Sequence, residues 1–243
     1  MFCVDNSICY YLAYGTLIGA IRHNGFIPWD DDIDIFMPRN DYEKFCALFP
    51  SFQSQFGLTL VNHATKPFYG RPMSKVIDNS TVLFEPAYKY DDPIGVFVDI
   101  WVLDGASNSV KTAKRIKRKV SNLVSILTYC NTKTSFCRST KQKLLTIVFG
   151  LRKPVPLIEK ITMLCKRNDF QQSRFVISAY DHRGCIYKNE WFGKPVLHKF
   201  EEYSFYVPNN SDEILSNLYG NWRELPPEKE RIPHHVMNAY LKD

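Results

Sequence analysis

The chain has 243 residues, of which 45% are hydrophobic and 23% are charged, and its formal net charge is +6. This composition is typical of a folded globular protein and excludes disordered, collagen-like and coiled-coil chains. The positive charge suits an anionic substrate or a membrane surface, but it is too small to indicate a nucleic-acid-binding protein. The seven cysteines form no CxxC pair, so free thiols in a reducing compartment are expected instead of disulfides or a zinc site.

No apolar run approaches the roughly 20 residues that a membrane span needs, so we expect a cytoplasmic protein. In chain order, residues 8–14 are rich in strand-forming residues and end at Gly15, which predicts a strand that enters a turn. Residues 16–23 are compatible with a short helix, and Asn24-Gly25 predicts a second turn.

Residues 32–37 alternate polar and apolar side chains, which predicts a strand with one buried face. On such a strand Asp32 and Asp34 share a face, Asp30 has the same parity, and Asp31 faces away. Carboxylates roughly 7 Å apart repel each other unless a cation lies between them. An acid-rich turn exposed to solvent is the alternative interpretation.

The rest of the chain mixes strands and helices. Asn40 and Glu43 have the spacing of a capping box, which predicts a helix over about residues 42–49. From about residue 108 to 168 apolar residues recur at helical spacing, which predicts two or three helices broken near 131–139 and at Pro154 and Pro156. The remaining predicted strands lie at 58–62, 72–77, 95–102, 174–180 and 196–207, and a short helix lies at 211–219.

This order predicts an α+β fold with a mixed-sheet core, a helical insertion and a small C-terminal α+β segment. We expect residues 1–107 to form the catalytic core and residues 108–172 to pack on it as a helical segment. Residues 173–243 are expected to complete the same domain.

A lone carboxylate interrupts the apolar segment VFVDIWV at Asp99. An unpaired buried carboxylate costs several kcal/mol, so Asp99 must be paired, protonated or bound to a metal ion. If its strand lies beside the strand of Asp32 and Asp34, three carboxylates converge. Oxygen ligands of this kind select Mg²⁺ or Mn²⁺, which typically serve phosphoryl transfer. A plain salt bridge at Asp99 is the alternative.

The pair Gly15-Thr16 lies at the predicted turn between the first strand and the first helix. Glycine allows a phosphate to approach the backbone closely, and the Thr16 hydroxyl and the helix N–H groups can donate to it. A Gly-Thr pair is weak evidence by itself. It becomes stronger when the Asp32-x-Asp34 pair and Asp99 follow.

Three sequence blocks resemble the LicD family, a group of phosphocholine-transferase-like proteins that includes the fukutin-related proteins and has a nucleotidyltransferase fold. They are YLAYGTLIGAIRHNGFIPWDDDIDIFMPRNDYEKF at 11–45, FVDIWVLDG at 97–105 and LYGNWRELPPEKER at 218–231, the last followed by His234-His235. The resemblance covers residues 8 to 240. It also implies a longer N-terminal helix than this sequence has before its first strand, so we expect Met1 to lie close to exposed apolar surface.

The resemblance implies a role for each matching residue. Asp32, Asp34 and Asp99 correspond to catalytic metal carboxylates, and Asp30 to a further metal ligand. We expect two Mg²⁺ (or Mn²⁺) ions, with Asp99 receiving the proton of the acceptor. The residues expected to bind substrate are Gly15 and Thr16 on the phosphate side, Arg22 and His23 near the active centre, and Lys75 at the nucleotide phosphate.

The implied reaction transfers a phospho-alcohol such as phosphocholine from a CDP-activated donor to a hydroxyl of a cell-surface glycan or lipid-linked oligosaccharide, and releases CMP. Phosphoethanolamine, phosphoglycerol and phosphoribitol fit the sequence equally well. One alternative is a nucleotidyltransferase that uses an NTP and releases pyrophosphate. Another is a non-catalytic protein that binds glycan or membrane.

Two further features have competing interpretations. The basic stretch 111–119 predicts peripheral contact with the inner face of a membrane, although a solvated helix face is the simpler interpretation. No RNA-binding motif accompanies it, so no nucleic-acid partner is expected. A choline headgroup favours an aromatic cage, for which Trp29, Trp101, Trp191 and Trp222 are candidates, but core packing is the simpler interpretation of each.

Overall fold

The structure is a computed structural model that describes residues 1–66, 69–89, 94–181, 184–233 and 238–242. Its helices are α1 (Phe2–Asp5), α2 (Tyr14–Ile18), α3 (Arg39–Leu48), α4 (Val110–Asn131), α5 (Thr140–Phe149), α6 (Pro154–Cys165) and α7 (Ser211–Tyr219). Its strands are β1 (Tyr11–Leu12), β2 (Asp34–Pro38), β3 (Leu58–Val61), β4 (Ser74–Asp78), β5 (Thr81–Phe84), β6 (Phe97–Ser107), β7 (Phe175–Ser178), β8 (Tyr187–Lys188), β9 (Val196–Phe200), β10 (Tyr203–Val207) and β11 (Asn238–Leu241). The predicted α+β fold is confirmed.

A mixed sheet forms the centre of the molecule, in the order β1-β2-β6-β4-β3. β2 runs parallel to β6, whereas the other neighbours in the sheet are antiparallel. The first half of β6 pairs with β4 and its second half with β7, which in turn pairs with β8. Strands from both ends of the chain therefore belong to one sheet. The β9–β10 hairpin and an antiparallel pair formed by β5 and β11 lie outside it.

Several predicted elements differ from those in the structure. The first strand contains only Tyr11 and Leu12, because helix α2 already begins at Tyr14. The predicted capping box is wrong: α3 begins at Arg39, directly after Pro38, and has no side-chain cap. Asn40 is therefore inside the helix. The predicted strand at 95–102 continues to Ser107, and the predicted helix at 211–219 is confirmed.

Helices α4, α5 and α6 form a layer on the sheet. Val120 and Leu127 of α4 pack with Ile158 and Ile161 of α6 against Ile177 of β7. Pro154 and Pro156 lie at the beginning of α6. Proline is tolerated there because the first backbone N–H groups of a helix have no hydrogen-bond partner within it, so the missing N–H of proline costs nothing. Within the described residues, no helix has the length and apolar character needed to cross a bilayer.

The two faces of the sheet are buried differently. On one face Phe36 and Leu103 pack with Leu215 and Trp222 of the C-terminal region. On the other, Met37 and Ile100 pack under Phe45 and Phe49, and an apolar groove of about 520 Å³ lies between them, α1 and the β9–β10 hairpin. The C-terminal region therefore covers the face of the sheet that carries the acidic residues.

Candidate active site

Asp34 and Asp99 lie directly opposite each other on the two parallel strands of the sheet. They are register partners in the pairing of β2 with β6, so their Cα atoms are about one strand spacing apart, roughly 4.8 Å. The sequence-based expectation that Asp99 lies beside the Asp34 strand is therefore confirmed. Both residues are buried. The arrangement places two carboxylates in one row across the centre of the sheet.

Lys75 extends this row on the neighbouring strand β4, where it is the register partner of Asp99. Its Nζ lies 2.7 Å from Asp99 Oδ1 and the side chain is fully buried. Burial lowers the pKa of Lys75, and the Asp99 carboxylate opposes that shift. For Asp99, burial raises the pKa and Lys75 opposes the shift. The structure thus pairs Lys75 with Asp99 inside the protein and does not expose it to a nucleotide phosphate.

Asp34 is held by contacts from two sides. Its backbone N–H donates to Thr16 Oγ1 at 2.9 Å, and its Oδ1 accepts from Trp101 Nε1 at 2.5 Å. Burial raises the pKa of Asp34 well above its usual value, and the charges of Asp32 and Asp99 raise it further. A cation at this position would relieve that repulsion. Thr16 is buried, so its hydrogen bond with the Asp34 backbone fixes the position of Asp34 from inside the protein.

Asp32 precedes the strand, contrary to the prediction, because β2 begins only at Asp34, whose N–H is taken by Thr16. The preceding segment instead gathers three acidic side chains. One carboxylate oxygen each of Asp30, Asp31 and Asp32 lies within 4.8 Å of the others. The expectation that Asp31 faces away is wrong, since an irregular backbone does not alternate its side chains as a strand does. All three side chains are half-buried.

Gly15 makes room for this acidic cluster. A Cβ atom at this position would lie 2.6 Å from Asp30 Oδ2, which is too close for any side chain. The Asp30 carboxylate therefore packs against the backbone at the start of α2. In this structure the group that lies close to Gly15 is the Asp30 carboxylate, and the approach of a phosphate to Gly15 stays a prediction.

A cleft of about 410 Å³ lies in front of these acids. Asp30, Asp32 and Asp34 line one wall together with Gly15 and Arg22. The opposite wall comes from the last residue of α7 and the segment that follows the helix, with Tyr219, Asn221, Trp222, Glu224 and Pro226. The cleft thus joins residues that are about 190 positions apart in the chain.

A five-residue π-helix, Gly19–His23, carries the residue that links the two walls by a hydrogen bond. Arg22 at its end donates from Nη1 to the carbonyl oxygen of Trp222 at 2.6 Å and from Nε to His23 Nε2 at 3.0 Å. His23 accepts this hydrogen bond as a neutral imidazole, and burial together with the Arg22 charge lowers its pKa. The π-helix therefore holds the C-terminal wall of the cleft in place.

Residues 7–119 match the family model described as LicD/FKTN/FKRP, nucleotidyltransferase domain. This match contains the acidic wall of the cleft and the β2–β6 strand pair. This match and the full-length relative described next support membership of the LicD family.

Individual relatives support this assignment. The chain is 28% identical over 252 residues to the lipopolysaccharide cholinephosphotransferase LicD of Haemophilus influenzae, an alignment that covers 98% of this chain and 91% of the relative. Two uncharacterised rickettsial proteins match over shorter stretches. The protein of Rickettsia typhi is 46% identical over 48 residues, 20% of this chain and 16% of the relative. That of Rickettsia prowazekii is 44% identical over 55 residues, 23% of this chain and 20% of the relative.

Not every residue suggested by the LicD resemblance lies in the cleft. Asp30, Asp32, Asp34, Gly15 and Arg22 line it. Thr16, Lys75 and Asp99 are buried and are not among the residues that line it. His23 lies behind Arg22. His234 and His235 fall outside the described residues.

Several cleft residues could not be found by sequence reasoning. Tyr14 lines the cleft with a positive φ of 44°, an uncommon conformation for an aromatic residue that often marks functional sites. Trp101 was a candidate for a choline cage, but the structure shows that it holds Asp34. Tyr219, Asn221 and Glu224 carry no separate signal apart from the C-terminal motif that contains them.

The acidic residues fit a divalent cation by the chemistry of their donor atoms. Asp30, Asp31 and Asp32 offer carboxylate oxygens that lie close together at the cleft, and Asp34 lies behind them with one oxygen bonded to Trp101. Hard cations such as Mg²⁺ and Mn²⁺ prefer this all-oxygen donor set. Asp99 fits less directly, because Lys75 already compensates its charge.

Proposed function

We propose that the protein is a metal-dependent transferase that moves a phospho-alcohol group, such as phosphocholine, from a CDP-activated donor to a hydroxyl of a cell-surface glycan and releases CMP. The observation that carries this proposal is the row of Asp34 and Asp99 on adjacent parallel strands, with Asp34 lining the same cleft as Asp30 and Asp32. The similarity over 98% of the chain to a lipopolysaccharide cholinephosphotransferase supports the choice of phosphocholine and of a glycan acceptor.

In this proposal Asp30, Asp32 and Asp34 would hold two Mg²⁺ ions, and Asp99 would contribute from the neighbouring strand β6. Bound there, Mg²⁺ would neutralise the charge of the donor diphosphate and of the CMP that leaves. Trp101 and Thr16 keep Asp34 in position, and the Asp99–Lys75 pair keeps a second negative charge adjacent to it. The acceptor hydroxyl attacks the β-phosphorus in line with the departing CMP.

The acceptor hydroxyl must lose its proton during this attack. Asp99 was expected to receive it, but Asp99 is buried and paired with Lys75. Asp30 and Asp32 are half-buried and line the cleft, so they are the carboxylates that an acceptor can reach. We therefore assign proton acceptance to this pair.

A CMP-release assay tests the proposal. The purified protein is incubated with Mg²⁺, a glycan acceptor and, in turn, CDP-choline, CDP-glycerol or CDP-ribitol. We expect CMP release with at least one donor, its loss in a chelator, and its loss in Asp32→Ala with the melting temperature retained. Pyrophosphate release from an NTP would indicate the nucleotidyltransferase alternative. Full activity of Asp32→Ala in the presence of chelator would eliminate the proposed mechanism.

A further inference from the structure

Residues 105–158, which include α4 and α5, carry an unusual concentration of positive charge. They contain twelve lysines and arginines and no aspartate or glutamate. The rest of the chain contains 19 basic and 25 acidic residues, so it is negatively charged. The net charge of +6 is therefore the sum of a strongly positive segment and a negative remainder of the chain. One part of its surface is suited to anionic partners.

Helix α5 adds an exposed apolar stripe to this basic region. Leu144, Ile147, Val148 and Leu151 follow the spacing i, i+3, i+4, i+7, so they lie along one side of the helix and the turn after it. Their side chains are between 57% and 94% exposed. Such a stripe normally faces a protein core, whereas this one faces solvent.

The contacts of the opposite side fix the orientation of the helix. Thr146 is buried, and the ring of Phe149 stacks on Tyr129 of α4 with 6.2 Å between the ring centroids. Cys130 of α4 also donates from its thiol to the Phe149 carbonyl oxygen at 3.2 Å. The apolar stripe therefore cannot turn inward without breaking the packing of α5 on α4.

Lysines border the stripe. At 100° per residue, Lys141 and Lys143 lie on its two sides, and both are exposed. Long basic side chains beside an apolar stripe are typical of a helix that lies in the plane of a membrane interface, with its apolar side in the acyl boundary and its ammonium groups at the phosphates. Arg152 and Lys153 continue this basic border after the helix.

We propose that α5 docks the protein on the surface of an anionic phospholipid bilayer. Charge complementarity favours this occupant, because a second copy would place one basic surface against another. The sequence-based expectation placed the membrane contact at 111–119. In the structure Lys117 of that stretch is buried and donates to backbone carbonyls, so the contact is assigned to α5, where basic and exposed apolar residues occur together.

Vesicle flotation tests the docking surface without reference to enzymatic activity. The wild-type chain is floated with vesicles of phosphatidylglycerol and phosphatidylcholine, and with vesicles of phosphatidylcholine alone. We expect binding to the anionic vesicles and release by salt. The variant Leu144→Gln/Ile147→Gln should bind them at least about tenfold more weakly, because it removes two inserted apolar side chains. The control is Leu197→Gln, an equally exposed leucine on β9, which should bind as the wild type does.

A charge variant separates the two contributions. Each interfacial lysine adds about 1 kcal/mol, so Lys141→Gln/Lys143→Gln should weaken binding to anionic vesicles by about tenfold or more. The control Lys229→Gln, which lies outside α5, should bind as the wild type does. Because these side chains are exposed, the melting temperatures should stay at the wild-type value. Equal binding to neutral and anionic vesicles would overturn the proposal. A wild-type protein that does not float with anionic vesicles would also overturn it. That conclusion would hold even if the α5 variants changed oligomeric mass, or if the wild type alone captured an acidic protein.

Discussion

Asp34 shows how the properties of one residue depend on neighbours that are distant in sequence. Its carboxylate accepts from Trp101, its backbone donates to Thr16, and Asp99 lies beside it on the next strand. Burial and the nearby negative charges raise its pKa. Ionisation of this carboxylate therefore opposes folding, because a group whose pKa is raised in the folded state loses its favourable contribution as the pH rises through that value.

Asp34→Asn should consequently separate activity from stability. We expect at least a roughly hundredfold loss of turnover, because a metal carboxylate is removed. We also expect a higher melting temperature in chelator, because the buried negative charge is gone while the amide oxygen still accepts from Trp101. CMP release and thermal unfolding measure the two effects. Asp5→Asn on exposed α1 is the matched control and should change neither. A lower melting temperature for Asp34→Asn would contradict this account.

Trp101→Phe should weaken the site through Asp34. The substitution removes the indole N–H that donates to Asp34 Oδ1 and keeps an aromatic ring in the core. Hydrogen bonds to charged groups contribute about 1.5–3 kcal/mol, so we expect Mg²⁺ affinity to fall about tenfold. Titration calorimetry with Mg²⁺ measures this loss directly. Trp191→Phe, a substitution outside the cleft, should retain wild-type affinity. Equal affinities in all three proteins would show that Trp101 only packs.

At the scale of elements, the π-helix Gly19–His23 shapes the cleft. A π-helical segment adds a residue to a helical turn and is frequent at functional sites. Here it places Arg22 against the Trp222 carbonyl oxygen, which ties the N-terminal and C-terminal walls together. Arg22, which is expected to bind substrate near the active centre, thus also links the two walls of the cleft. Asn24, with a φ of 54°, ends the π-helix and leads to the acidic segment.

The pH dependence of stability should report this element through His23. Burial and Arg22 lower its pKa in the folded state, below the unperturbed value of 6.5. The unfolded chain therefore takes up a proton first, and the free energy of unfolding falls as the pH drops below about 6.5.

The comparison for this prediction is between the wild type and His23→Asn, whose amide oxygen can still accept from Arg22. Melting temperatures are measured between about pH 7.5 and about pH 5.5. We expect a larger decrease in the wild type than in the variant. The other histidines are common to both proteins and cancel. Parallel curves would mean that His23 is not held neutral by the fold.

At the scale of the whole molecule, three parts of the chain share one core. The sheet takes strands from residues before 107 and after 175, and the helices between them pack on it. Lys117 is a specific link in this assembly. Its buried Nζ donates from α4 to the carbonyl oxygens of Ser178 and Asp181 at the end of β7, at 2.8 Å and 3.0 Å.

Lys117→Met should loosen the helical layer. Methionine fills much of the same volume but leaves two buried carbonyl oxygens without their donor, so we expect the free energy of unfolding to fall by about 2 kcal/mol. Chemical denaturation measures the change. Lys114→Met, at an exposed position one turn earlier, is the control and should be nearly neutral. A Lys117→Met protein as stable as the control would show that the ammonium costs as much to bury as it contributes.

The amino-acid sequence by itself determined the local elements and the identity of the acids. Alternating and helical spacing located α7 and several strands to within a few residues, because these patterns depend on near neighbours only. The sequence also identified Asp32, Asp34 and Asp99 as candidate site residues, because acidic residues among apolar neighbours can be recognised from the sequence alone. The three sequence blocks also indicated the LicD family.

Only the tertiary structure decided which of these residues meet the cleft. Strand register pairs Asp99 with Lys75, and both residues are buried. The hydrogen bond from the Asp34 N–H to Thr16 makes β2 begin only at Asp34. Asp31 therefore lies outside the strand, close to Asp30 and Asp32. The C-terminal wall, the role of Arg22 and the outward stripe of α5 likewise depend on contacts between segments far apart in the chain. Sequence periodicity encodes which side chains share a face, but which partner that face meets is set only when the chain has packed.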